Sequence, residues 1–164
     1  VSDFKELVEK GDMEHVVEMV KRSSITWIEI RDKYYPIYII HYGDAFDPIN
    51  ERTQFPYCPR LMYKKFIFTK AKKTNFFYLD EVTRCCIERK GGNVAEVKYL
   101  IDFFEMFEMC SIYFDRNEDA IYFRLIENNH LCSFRYSFNK NSDGELDGSN
   151  IKKINDNWLF IVDE

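Results

Sequence analysis

No apolar run in this chain of 164 residues approaches the roughly 20 residues that a membrane-spanning helix needs. The start, Val1-Ser2-Asp3, lacks the basic segment followed by an apolar one that marks a secretory leader. Only four prolines occur, all between Pro36 and Pro59, and no low-complexity tract appears. The five cysteines (Cys58, Cys85, Cys86, Cys110, Cys132) are odd in number and contain no Cys-x-x-Cys spacing, which argues against a secreted disulfide framework. The expectation is a chain with reduced thiols and no membrane span, intracellular in the cytoplasm or nucleus.

Chemical motifs are missing as well. There is no glycine-rich phosphate loop, no Gly-x-Ser-x-Gly and no His-Glu-x-x-His. His130 and Cys132 share one face of a strand, but two ligands do not make a zinc site, and no second pair has ligand spacing. Three histidines and five cysteines allow a Cys–His pair only on paper. An active thiolate needs an oriented base beside it, and no spacing here suggests one. No catalytic residue, metal or cofactor is expected, and a non-enzymatic role is favoured.

What is present fits one domain spanning residues 1 to 164, long enough to bury its own core. Fifteen Phe and eleven Tyr favour strands and a core of large rings. Phe4, Leu7 and Val8, then Met13, Val16, Val17 and Val20, recur at helical spacing, with Gly11-Asp12 between them. Gly11 suits a helix end and Asp12 suits the next cap. The period switches to alternation from Trp27 to Arg31, and Tyr35 to Tyr42 is a run of β-formers. Gly43 to Pro59 reads as the one long irregular loop. Arg60 to Thr69 and Asn75 to Leu79 read as a hairpin. Asp80 to Arg89 is moderately helical. Val94, Val97, Leu100, Ile101, Phe104 and Phe107 form an apolar stripe, and Asn93 with Glu96 has capping-box spacing. A helix over 94–108 follows. Ser111 to Phe114, Ala120 to Ile126, Leu131 to Phe138 and Trp158 to Val162 read as strands. The fold class expected is α+β, an antiparallel sheet packed against the N-terminal helical segment and that central helix.

Two local resemblances accompany this pattern. The loop from Asn139 to Asn150 resembles an EF-hand, with Asn139, Asn141 and Asp143 at positions one, three and five, Gly144 at the sharp turn and Asp147 at position nine. Position twelve is Asn150 rather than a bidentate Glu, and position one is not Asp. Carboxylates are absent where calcium needs them most, so the expectation is a plain turn. Gly11 to Val20 and Gly92 to Ile101 each resemble the second helix of an ankyrin repeat. Their glycines stand 81 residues apart, which is no multiple of the period of about 33. An ankyrin-like adaptor stands as an alternative.

The strongest functional signal is a charge asymmetry. Between Arg52 and Leu79 there is no acidic residue and there are seven basic ones. Since that segment carries +7 of a total of −5, the rest of the chain sums to −12. Aromatic residues interleave with those charges. Such a surface steers anionic partners. The expected partner-binding residues are Arg60, Lys64, Lys65, Lys70, Lys72, Lys73, Tyr57 and Tyr63. The expected function is a protein-interaction or regulatory module that meets an anionic partner through this hairpin and the proline-rich loop before it. A nucleic-acid partner and a small-molecule or enzymatic pocket under a curved sheet are the alternatives.

Overall fold

The computed structural model describes residues 1–23, 25–32, 37–42, 60–67, 75–78, 93–141 and 150–162, with the strands between 30 and 78 described by backbone and pairing. Among these residues the fold is α+β: three helices and one antiparallel sheet. The helices are α1 (Ser2–Lys10), α2 (Glu14–Arg22) and α3 (Val94–Met106). The strands are β1 (Ile25–Asp32), β2 (Ile37–Tyr42), β3 (Arg60–Ile67), β4 (Asn75–Tyr78), β5 (Met109–Asp115), β6 (Ala120–Glu127), β7 (His130–Ser137), β8 (Ile151–Lys153) and β9 (Trp158–Val162). They lie in the order β4-β3-β2-β1-β5-β6-β7-β9-β8. Two runs of neighbouring strands therefore meet at the β1–β5 ladder, which pairs Trp27 with Tyr113 and Glu29 with Ser111.

Gly11 ends α1 as its position predicts. It takes φ 78, which an L side chain resists, and its N–H reaches the Val8 carbonyl while the Asp12 N–H reaches Leu7. That pair of bonds satisfies the last carbonyls of α1. Asp12 does not cap α2. The N-cap is Met13, which supplies no side-chain bond, because the glycine turn itself delivers the chain to the second helix. Asn93 does cap α3, its Oδ1 accepting from the Ala95 N–H at 2.8 Å. Glu96 is not the reciprocal half of a capping box. Its Oε1 instead accepts from Arg22 Nε at 3.0 Å, tying α3 to α2. A second tie joins His15 Nε2 to the Tyr99 hydroxyl at 2.6 Å.

α3 stops at Met106 rather than 108. Glu108 has φ 51, which turns the chain directly into β5. Asn128 and Asn129 both take positive φ (50 and 66) between Glu127 and His130, which pair with each other. That is the two-residue turn whose twist matches a hairpin. β8 was not expected; it pairs with β9 and places β9 between β7 and β8.

The core lies between the helices and one face of the sheet. Phe4 is fully buried, and its ring meets those of Phe103, Phe107, Phe123, Phe134 and Trp158 at centroid distances of 4.7 to 6.3 Å. Val97, Leu100, Ile101 and Phe104 bury the stripe of α3 in the same cluster. The cross-strand row Ile28–Ile112–Phe123–Phe134–Phe160 carries the sheet's contribution. Alternation then sends the neighbouring residues of each strand to the opposite, outer face.

Candidate interaction face

The outer face carries a second cross-strand row, one residue along from the core row. It runs Trp27 on β1, Tyr113 on β5, Tyr122 on β6, Arg135 on β7, Leu159 on β9 and Lys153 on β8. The Trp27 and Tyr113 rings meet edge to face at 6.5 Å. Tyr113 and Tyr122 stack at 6.0 Å with planes 29° apart. The Arg135 guanidinium lies 5.9 Å from the Tyr122 ring centre. Trp27, Tyr113, Tyr122, Arg135 and Lys153 are half-buried, and Leu159 is buried.

The adjacent row is Glu29, Ser111, Arg124, Ser133 and Ile161. Ser111 and Ser133 flank Arg124 across the two ladders and are themselves buried. Further along β6 on the same face, Ile126 is 51% exposed.

The charges alternate. Glu118, in the β5–β6 turn, accepts from the Tyr122 hydroxyl at 2.7 Å and stands 3.7 Å from Arg135 Nη2. Arg135 Nη1 donates to Asn141 Oδ1 at 3.1 Å. The Nε atoms of Arg124 and Arg135 are buried without a hydrogen-bond partner. Burial, then the bond to Glu118, pushes the Tyr122 phenol up to about 12, with Arg135 opposing. Burial and the carboxylates of Asp115 and Glu118 push Tyr113 in the same direction.

The basic hairpin joins this face only in part. Arg60 pairs with His41, and His41 with Trp27, so Arg60 extends the aromatic row across β2 to β3. Lys64 falls in the same alternation as Arg60, whereas Tyr63 and Lys65 fall in the other one. The four positions thus divide between two alternating sets. Tyr57, Lys70, Lys72 and Lys73 lie outside the described residues, as do the proline-rich loop, the segment from Asp80 to Arg89 and positions 142–149 of the EF-hand-like loop. Among the described residues no group of three His, Cys, Asp or Glu could hold a metal ion, and no helix is long and apolar enough to cross a membrane.

Sequence reasoning missed Trp27, Tyr113, Tyr122, Arg124 and Arg135. The signal was present as alternation: Tyr122-x-Arg124 and Ser133-x-Arg135-x-Ser137 sit between apolar residues at the other parity. Pairing in register, which sequence spacing does not give, turns these scattered residues into two rows. Comparison of the chain with family models, curated proteins and solved structures found no match.

Proposed function

We propose that this chain is a non-enzymatic interaction module whose outer sheet face binds a protein partner bearing acidic side chains. The observation that carries the proposal is the continuous row Trp27–Tyr113–Tyr122–Arg135, with Arg124 beside it. Trp, Tyr and Arg are the residues that dominate binding energy at protein interfaces, because they cover large area with few rotatable bonds. A carboxylate satisfies a guanidinium edge through two parallel bonds. Arg60 stands in register with the row, and Lys64 falls in the same alternation of β3.

A protein fits this face better than a nucleic acid. Glu29, Asp115 and Glu118 stand among the arginines, and a phosphate backbone would meet each of them. An interface of mixed charge discriminates between partners by complementarity instead. An odd number of cysteines without a Cys-x-x-Cys spacing fits a role in the cytoplasm or nucleus.

Selection from a random peptide library tests the proposal. The natural chain should enrich peptides that combine Asp or Glu with an apolar anchor. The Arg124→Glu, Arg135→Glu double variant should lose them while keeping its fold by circular dichroism. Equal selection by both proteins overturns the proposal.

A further inference from the structure

The β5–β6 turn gives the outer face a carboxylate of its own. Asp115 Oδ1 accepts from the Asn117 N–H at 2.9 Å and the Glu118 N–H at 3.1 Å, which folds the chain back at the end of β5. Asp119 takes φ 51, and its carbonyl accepts from the Phe138 N–H at 3.0 Å, so the turn is tied to the end of β7. Glu118 is thereby held beside the row in which Tyr113, Tyr122 and Arg135 stand side by side.

Glu118 Oε2 makes two contacts of unequal quality. It accepts from the Tyr122 hydroxyl at 2.7 Å, a full hydrogen bond. The same oxygen stands 3.7 Å from Arg135 Nη2, beyond hydrogen-bond reach. The guanidinium is hydrogen-bonded instead through Nη1, to Asn141 Oδ1 at 3.1 Å. A carboxylate whose role was to hold Arg135 would take the parallel bonds that a guanidinium offers. Here the phenol draws it to one side, and only attraction across a gap joins the pair.

Exposure separates the two partners. The Arg135 side chain is 16% exposed and that of Glu118 is 52% exposed. The cation is therefore set into the face, while the anion stands at its rim with half of its surface in water. A loose pair of this kind adds little to stability. Its negative charge nevertheless repels any second carboxylate that approaches the same guanidinium, an effect that persists at a protein surface and fades with salt. That charge is also felt along the row: burial comes first in raising the Tyr113 and Tyr122 phenols, and Glu118 adds to it in both.

We infer that Glu118 is a resident competitor on the outer face, occupying the place that a partner's carboxylate takes at Arg135 and so setting how tightly an acidic partner binds. The inference rests on the reading of this face as the site for an acidic protein. The partner's carboxylate displaces Glu118 towards water, accepts from the Tyr122 hydroxyl in its stead and hydrogen-bonds Arg135 Nη2. A partner that brings an amide to the same place leaves Glu118 where it is.

Peptide selection with single-charge variants tests this. One random library is panned in parallel against the natural chain, Glu118→Gln and Glu127→Gln, and every acidic peptide enriched by any of the three is titrated against all of them by fluorescence anisotropy. Glu127 is exposed at the β6–β7 turn and serves as the control for net charge. Glutamine at 118 keeps an acceptor for Tyr122 and loses the charge. Glu118→Gln should bind acidic peptides about fivefold more tightly than the natural chain at low salt. The difference should close at about 0.5 M salt, where the Debye length is about 4 Å. Glu127→Gln should match the natural chain, and peptides with Gln in place of their acidic residues should bind all three proteins alike. Equal or weaker binding by Glu118→Gln would overturn the inference and leave the acidic-partner reading standing. An equal gain in both variants would overturn it too, because net charge alone would then be at work. Failure of all three proteins to enrich acidic peptides would overturn the reading and the inference together.

Discussion

Tyr122 and Arg135 stand opposite each other on β6 and β7, and both lean on Glu118, one through its hydroxyl and the other through its guanidinium. Burial, helped by the bond to Glu118 and opposed by Arg135, pushes the Tyr122 phenol up to about 12, where an ordinary tyrosine ionises near 10. The folded-state value is the raised one. The stabilisation is therefore complete below about pH 10 and is lost as pH rises towards 12. Denaturant midpoints measured from pH 9 to 12 should fall more steeply for the natural chain than for Tyr122→Phe. Parallel curves would show that the phenol makes no differential contribution.

Phe4 is the ring on which the helices and sheet converge, with five aromatic neighbours and no exposure. Phe4→Ala should cost about 3 to 5 kcal/mol through lost transfer energy and the cavity left behind. Urea denaturation measures this. A cost below about 1 kcal/mol would mean that the N-terminal helix does not close the core.

Gly11→Ala separates backbone strain from packing. A Cβ at residue 11 would meet nothing within 4 Å, so only the φ of 78 resists it. The expected cost is about 1 to 2 kcal/mol. An unchanged thermal midpoint would show that the turn relaxes at no cost.

Asn93→Ala removes the one side-chain bond at the start of α3 and should cost about 1 kcal/mol, with Asn93→Ser recovering most of it. If both variants melt together, the cap does not contribute.

Local chemistry was legible in the sequence where a residue's own conformation decides the outcome. Gly11 at a helix end, Asn93 at a helix start and the apolar stripe of α3 follow from backbone freedom, hydrogen-bond capacity and periodicity. The α+β class followed from the switch between periods of 3.6 and 2. The outer face was illegible for a different reason. Trp27 and Tyr122 are 95 positions apart in the chain, and only the β1–β5 and β5–β6 registers bring them into one row. The charge run from Arg52 to Leu79 was conspicuous because it is contiguous, and contiguity says nothing about which face a strand residue shares. β8 escaped notice because three residues, two of them Lys, carry too short a pattern to register as a strand.

The most direct test of the interaction face is photo-crosslinking in cells from a benzophenone side chain placed at Ile126, on the outer face, and separately at Met106, at the end of α3. Both positions are exposed, at 51% and 72%. The outer-face probe should give a discrete protein adduct whose crosslinked peptide is acidic. That adduct should disappear in the Arg124→Glu, Arg135→Glu background and survive nuclease treatment. The probe at Met106 should not give it. An adduct common to both positions, one removed by nuclease, or one that persists in the double variant would contradict the assignment of this face to an acidic protein partner.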